Sequence, residues 1–258
     1  MAAPEATVSS YGVIKGPMVE ETYACFRAWD WKLNQNENLK RLKEQNFVGA
    51  ASVNWLRDVY KVLHSRFDPN GKDKPLTLLA QKDPGLESWK HLLLWHWAQD
   101  EYLLRMFLLD WLGPRLREGF VRFKPEDLLP ALKKLWDKGG PVAEPWSEAT
   151  TKRVATGLLK AAAIFGLMEG GTVKTLATYH LPEPCFIYAL RFLLDREGSP
   201  RKAVEAPDWG IFLMDSQAVK QELLRLHQYR KLEYHAAGSL VELTLPHANL
   251  LDLVNGWS

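Results

Sequence analysis

The segment from Ser147 to Gly166 carries a helix whose start, buried side and end can all be read from the sequence. Ser147 is a good N-cap because its hydroxyl can accept a bond from an orphan amide of the first turn, and Gly166 supplies a left-handed stop. Apolar residues recur at intervals of three and four, namely Val154, Leu158, Ala161, Ala162 and Phe165. Cations occupy another side, namely Lys152, Arg153 and Lys160. The segment therefore predicts a helix with one face packed on a bundle and a basic face offered to an acidic partner or to solvent.

A second helix with a readable start lies near the C-terminus and precedes a predicted β-hairpin. Asp215 can cap a helix that runs to about Tyr229. Over residues 231–245 apolar and polar residues alternate on both sides of a Gly-containing turn, and Pro246 ends the pattern. Residues 184–196 predict a further helix upstream, so the order is helix, connector, helix, hairpin.

That order is typical of a winged helix-turn-helix. In nucleic-acid readers of this type the helix before the hairpin enters the major groove and the hairpin touches the backbone. The candidate contacts here are Lys220, Gln221, Arg225, Gln228, Arg230 and Lys231. Only the two amides, Gln221 and Gln228, are placed to read adenine, so we expect weak sequence preference. Winged-helix folds also serve as protein-protein modules, so the fold alone does not settle the function.

The N-terminal part predicts a simpler helix-turn-helix. Residues 52–67 predict a third helix, preceded by a Gly-containing turn at 47–50. Its apolar spacing places Arg57, Lys61 and Arg66 on the outward side. These cations are the N-terminal candidates for phosphate contact.

The chain is long enough for more than one domain, and a Gly- and Pro-rich segment divides it. Residues 1–10 are small and polar and predict a disordered tail. Residues 139–145 are the predicted linker between an N-terminal helical domain, 11–140, and a C-terminal helical domain, 141–258. Short extended pieces are predicted within both domains, at residues 120–123 and, as a second wing, at residues 172–179. The predicted fold class is mainly α.

One apolar segment, residues 92–112, could be mistaken for a membrane span. Asp100, Glu101, Arg105 and Asp110 interrupt it, and charges at the centre of a span are costly. It therefore predicts one or two buried helices and no membrane partner. The N-terminus shows no secretory signal and the cysteines lie far apart without neighbouring ligands, so the sequence indicates buried free thiols and a cytoplasmic protein.

Motifs for catalysis, metals and cofactors are missing from the sequence. No Gly-rich loop has the spacing of a phosphate-binding motif, and His91 and His96 are five residues apart, off the spacing that places two ligands on one helical face. The sequence therefore predicts a non-enzyme with neither metal nor cofactor. The net charge of +2 indicates that any nucleic-acid surface must be local.

Three blocks of sequence carry a family resemblance. They are Ser10-Tyr11 followed by Val19-Glu20; WSEATTKRVATGLL from Trp146, leading to Phe165-Gly166-Leu167; and DWGIFLMD, VKQELLRLH and AAGSLVELTL near the C-terminus. Together they resemble the BrxA family, a small component of BREX phage-defence systems. The resemblance implies an all-helical protein with helix-turn-helix and winged helix-turn-helix parts. It also implies a non-enzymatic DNA-binding role beside the BREX methyltransferase, ATPase and phosphatase-like proteins. Family members look similar to a bacterial antitermination factor that binds RNA, so RNA stays open as a partner.

Residues and resemblance together predict an accessory protein that binds double-stranded DNA. Binding would neutralise phosphates and release counterions, so the affinity should fall steeply with salt. Two alternatives stay open. One is a scaffold that docks other BREX proteins through exposed Trp or Leu patches, and the near-neutral net charge favours it. The other is an RNA-binding protein. A continuous basic stripe would favour nucleic acid, and an apolar patch with mixed charge would favour the scaffold.

Overall fold

The chain folds mainly into α-helices, and a computed structural model describes residues 8–137, 140–142, 144–238 and 240–257. Most of the predicted tail, residues 1–7, lies outside the described residues. Val8 is buried, and its amide donates to the carbonyl of Pro141 at 3.3 Å. The last residues before the first helix therefore lie against the body of the protein.

Five helices form the N-terminal part, and their starts follow local capping chemistry. They are α1 (Tyr11–Lys15), α2 (Val19–Arg27), α3 (Gln35–Glu44), α4 (Val53–Arg66) and α5 (Lys74–Gln81). Asn34 and Glu37 form a capping box at the start of α3, and the Ser52 hydroxyl accepts the amide of Trp55 at the start of α4. The helix predicted over 52–67 is therefore confirmed as α4.

The apolar segment 92–112 lies within consecutive helical elements in the middle of the chain. They are α6 (Gly85–Asp100), α7 (Tyr102–Arg105), a π-helical segment (Met106–Leu112) and α8 (Gly113–Arg117). Three tryptophans of this stretch, Trp89, Trp95 and Trp97, are almost fully buried. Among the described residues no helix combines the length and the apolar character that crossing a bilayer needs.

A three-stranded antiparallel sheet joins the two short extended pieces predicted from the sequence. The elements of this region are β1 (Arg122–Phe123), α9 (Pro125–Lys133), a 3₁₀ turn (Lys134–Trp136), α10 (Glu148–Ile164), β2 (Met168–Glu169) and β3 (Lys174–Leu176). The strand order is β1-β3-β2, with Arg122 opposite Thr175 and Glu169 opposite Thr175 on the other side. The segment predicted as a second wing is therefore the centre of a sheet whose edge comes from residues 122–123.

The helix predicted from Ser147 to Gly166 is confirmed as α10. The Ser147 hydroxyl accepts the amide of Thr150 at 3.2 Å, and Gly166 has a φ of 79°, the left-handed conformation expected of a helix stop. The predicted apolar stripe is buried. Because that stripe packs against α1 and α9, α10 ties together elements from both predicted domains.

The last part of the chain has the predicted order of helices followed by a hairpin. Its elements are α11 (Glu183–Glu197), α12 (Pro200–Val204), a 3₁₀ segment (Pro207–Phe212), α13 (Ser216–Gln228), β4 (Glu233–Ala237), β5 (Leu240–Thr244) and α14 (Leu250–Asn255). Asp215 caps α13 by accepting the amide of Ala218 at 2.8 Å. The strands pair antiparallel, so the hairpin is confirmed.

Buried side chains from all these regions belong to one hydrophobic core. Residues 139 and 143 of the predicted linker, and residue 138 before it, lie outside the described residues. The division into domains 11–140 and 141–258 stays a prediction.

Candidate nucleic-acid interface

The outer side of α10 carries exposed cations, as its sequence predicts. Lys152, Arg153 and Lys160 are all exposed, and Lys152 pairs with Glu126 at the start of α9 at 3.1 Å. Among the described residues no acidic partner lies within 4.0 Å of Arg153 or Lys160. These two charges are therefore available to an external anion.

A close helix contact fixes the position of α10. A Cβ on Gly157 would lie 2.8 Å from the carbonyl oxygen of Val13 in α1, closer than real Cβ atoms approach. Glycine at this point lets the α1 backbone rest directly on α10. The packing of α1 therefore sets how the cationic side of α10 is presented.

The N-terminal candidates Arg57 and Lys61 are exposed on α4, which also packs on α1. Arg57 lies 3.7 Å from Asp58, and the Lys61 ammonium lies 4.4 Å from the centre of the Tyr11 ring. Lys15 and Tyr11 both donate to the Asp58 carboxylate, and the Lys15 ammonium holds the pKa of that carboxyl below its ordinary value. Since Asp58 offsets Lys15 and partly Arg57, Lys61 is the freer cation of this helix.

A groove lies between α4 and α10, and of the predicted cations Lys160 lines it. It has a volume of about 300 Å³ and is lined by Trp55 of α4, by Lys160 and Ile164 of α10, and by residues 13–21 between them. Glu20 and Glu21 line it as well. The groove itself is therefore electrically balanced, and the available positive charge lies on the helix surfaces beside it.

The prediction that Arg66 faces outward is wrong. Its guanidinium donates to the carbonyls of Gly12, Gly16 and Pro17 at 2.8–3.0 Å and stacks 4.0 Å from the centre of the Trp97 ring. Burial lowers its pKa to about 9, which still leaves it charged at neutral pH. Arg66 therefore holds the loop between α1 and α2 in place, and three of its five N–H donors are already occupied.

Two of the four cations among the C-terminal candidates are compensated by acidic neighbours. Arg225 pairs with Glu222 at 2.6 Å and with Glu183 at 3.0 Å, and Lys231 lies 3.4 Å from Glu183. The hydrogen bonds that Arg225 donates to Glu222 and Glu183 raise its pKa above its ordinary value. Two of the cations predicted to bind phosphate therefore already bind carboxylates of the same chain.

The rest of the C-terminal set is exposed, and among the described residues no acidic partner lies within 4.0 Å of the Lys220 or Arg230 side-chain nitrogens. Lys220, Gln221, Gln228 and Arg230 all lie on the surface of α13 or directly after it. The exposed side of the hairpin carries two carboxylates, with Glu233 opposite Thr244 and Glu242 opposite His235. A hairpin with these carboxylates repels a phosphate backbone, so the predicted wing contact is electrostatically unfavourable.

A further group of exposed cations escaped the sequence prediction. Arg117, Arg122 and Lys124 lie at the end of α8 and along β1, beside an exposed Phe120. The signal was present as the alternation Phe-Val-Arg-Phe-Lys over 120–124, in which the buried Phe123 alternates with the exposed Arg122 and Lys124. Because the segment is short, the sequence alone marks it only as extended.

One cluster of hydrogen-bonded polar side chains lies in the core and is closed to solvent. His96 joins Asp73 and Tyr188 through its two ring nitrogens, both at 2.7 Å, and all three residues are almost fully buried. Among the described residues no three His, Cys, Asp or Glu side chains are placed to hold a metal ion. The arrangement connects α6 to α11 and to the start of α5, so it serves the core.

Comparison with known proteins adds one match. The family model described as BrxA matches residues 13–190, which is more than half of the chain. The match includes α10 and the three-stranded sheet and ends within α11, so α13 and the hairpin lie beyond it. No curated protein and no solved structure matches the chain.

Proposed function

The chain belongs to the BrxA family, and we propose that this BREX phage-defence component is a non-enzymatic protein that binds duplex DNA. Contacts would be mainly to phosphate, with weak sequence preference. The surface would comprise the cationic side of α10 with Lys61 and Arg57 of the neighbouring α4. Other BREX proteins are expected partners because the family belongs to that system.

One observation carries the proposal. Arg153 and Lys160 are exposed, lie on one helix and have no acidic partner within 4.0 Å among the described residues. Cations of this kind bind phosphate without first breaking an internal ion pair, so the full gain of counterion release is available. The non-enzymatic part rests on the sequence, which offers no catalytic constellation.

The order of α11, α12, α13 and the hairpin supports a winged helix-turn-helix in the C-terminal part. We assign this module a secondary role in DNA binding, because Arg225 and Lys231 are paired and the hairpin is acidic. Exposed Leu224, Tyr229 and Leu240 beside mixed charges favour a protein partner for this module.

The test compares two matched double variants for binding to a labelled random-sequence duplex across salt concentrations, by fluorescence anisotropy. Arg153→Gln with Lys160→Gln removes two charges from α10, and Lys220→Gln with Arg230→Gln removes two exposed charges from the C-terminal module. Each lost phosphate contact lowers the salt slope by about 0.9, so the α10 variant should lose about 2 in slope and ~60-fold in affinity near 0.1 M salt. Circular dichroism verifies that both variants are folded.

The control variant should bind within about twofold of the parent protein. A control that weakens binding as much as the α10 variant would place the DNA surface elsewhere. A parent protein that binds no duplex even at low salt would refute the DNA proposal and favour the scaffold. Competition with an RNA of the same length tests the remaining alternative, because preference for RNA would overturn duplex DNA as the target.

A further inference from the structure

The outer side of the three-stranded sheet presents an exposed aromatic ring among cations, and the duplex proposal makes no use of it. We define the β1 face as Phe120, Arg122, Lys124 and Val173. Phe120 is 55% exposed and Val173 is 50% exposed, whereas Phe123 is only 2% exposed. Because side chains alternate along a strand, Arg122 and Lys124 lie on the side opposite the buried Phe123.

The β1 face lies at an open edge of the sheet. The strand order β1-β3-β2 places β1 outermost, with Phe123 opposite Lys174 and Arg122 opposite Thr175. Val173 occurs in the turn between β2 and β3 that borders this edge. Phe120 and Val121, directly before β1, and Val173 leave neighbouring apolar side chains exposed at this edge, and an exposed apolar patch with a polar rim marks an interaction site.

Positive charge is concentrated at this edge. Between residues 115 and 124 the sequence has Arg115, Arg117, Arg122 and Lys124 against Glu118, and of the two carboxylates that follow, Glu126 pairs with Lys152 and Asp127 caps the start of α9. Among the described residues no acidic partner lies within 4.0 Å of the side-chain nitrogens of Arg117, Arg122 or Lys124. An anionic partner is therefore complementary to this face, and an acidic backbone with flat apolar groups fits both its charge and its ring.

Single-stranded nucleic acid has that chemistry. Its unpaired bases offer faces on which an aromatic side chain can stack, while its phosphates pair with neighbouring cations. A duplex keeps its bases stacked on one another, so it offers no base face to Phe120. The exposed ring consequently favours a single strand over a duplex.

The β1 face also borders the surface assigned to duplex DNA. Glu126, two residues after Lys124, pairs with Lys152 of α10 at 3.1 Å. A strand that leaves a duplex held on α10 would meet the β1 face next. The choice of DNA over RNA rests on the proposed function, because α10 already holds DNA in that proposal.

We propose that the β1 face binds single-stranded DNA, with Phe120 stacked on a base and with Arg122 and Lys124 paired to phosphates. The test uses the full chain with labelled oligothymidylate, the same oligomer without bases, the random-sequence duplex and oligouridylate. The variants are Phe120→Ala, Phe120→Trp and Phe47→Ala. Phe47 is a matched control because it is 46% exposed and lies far along the chain, between α3 and α4.

Phe120→Ala should weaken oligothymidylate binding by about fivefold to 150-fold, the range for loss of one stacked base. Phe120→Trp should bind as well as the parent protein. Binding of the base-free oligomer and of the duplex should not change, since neither offers a base face. The combined variant Arg122→Gln with Lys124→Gln should lower the salt slope for oligothymidylate by about 1.4.

Several results would overturn this proposal. Equal oligothymidylate binding by Phe120→Ala and Phe47→Ala would show that the ring is not stacked on a base and would favour a protein on this face. Tighter binding of oligouridylate than of oligothymidylate would assign the face to RNA. A parent protein that binds duplex but not oligothymidylate would refute this inference alone, whereas failure with both would refute the proposed function as well.

Discussion

Replacing Arg66 with methionine should destabilise the protein without changing how it binds DNA. The substitution keeps an unbranched side chain but removes three hydrogen bonds to backbone carbonyls and the stacking on Trp97. The substitution also removes the cation near Glu101. Burial raises the pKa of that carboxyl and the Arg66 charge lowers it. Arg66 and Glu101 are both partly buried, and losing the hydrogen bonds of a charged group in such a place costs about 1.5–3 kcal/mol. We therefore expect the free energy of unfolding to fall by that amount.

The measurement is urea unfolding followed by tryptophan fluorescence. Arg66→Lys is the control, because it retains the positive charge but cannot reach three carbonyls with a planar fork, so its loss should be smaller. Duplex binding is measured in parallel at a temperature where each variant is folded, and its salt slope should equal that of the parent protein.

The reasoning fails if Arg66→Met unfolds within about 1 kcal/mol of the parent protein. It also fails if the folded variant loses about 0.9 in salt slope, since that change is the signature of one lost phosphate contact. Either result would indicate that the Arg66 side chain points outward, as its helical spacing suggests.

Three further predictions concern stability. Gly157→Ala should destabilise by about 1–3 kcal/mol because its methyl group meets the Val13 carbonyl, whereas Thr156→Ala on the exposed side should be neutral or stabilising in thermal unfolding. Tyr188→Phe should cost about 1–3 kcal/mol in urea unfolding, because a buried histidine nitrogen loses its partner. For Asp208, burial opposes ionisation, but Arg196 and Arg105 outweigh it and hold the pKa of the carboxyl at about 2. Its charged form therefore stabilises the fold above about pH 4. The loss of unfolding free energy caused by Asp208→Asn should shrink as the pH falls from about 4 to 2.

The helices and the hairpin were predictable because local chemistry determines their ends. Ser147 and Asp215 each accept an amide of their own first turn, and the left-handed Gly166 closes α10. The alternation on both sides of Gly238 determines the strand faces of the hairpin. Such signals lie within a few residues of the structure they specify, so one sequence is enough to read them.

The burial of Arg66 could not be read in the same way. Its spacing places it one step from the apolar face of α4, and only the loop between α1 and α2, about fifty residues earlier in the chain, decides that it is covered. The pairing of Arg225 and Lys231 with Glu183 likewise depends on how α11 and α13 pack. Helical periodicity gives the side of a helix on which a cation lies, but it does not give the distance to an acidic partner elsewhere in the chain.

The distribution of acidic partners also limits how steeply the affinity for duplex DNA can fall with salt concentration. Of the cations assigned to duplex DNA, Lys61, Arg153 and Lys160 are exposed without an acidic partner within 4.0 Å among the described residues. Each neutralised phosphate contributes about −0.9 to the slope, so the parent protein should show a slope of about −3. A slope near −6 would require further phosphate contacts, from Lys220 and Arg230 of the C-terminal module, from the β1 face, or from paired cations that exchange their carboxylates for phosphates. That exchange would gain little, since each new contact would cost an existing ion pair. A slope near −3 therefore fits binding through α10 and α4 alone, and a much steeper slope would show that another cationic surface takes part.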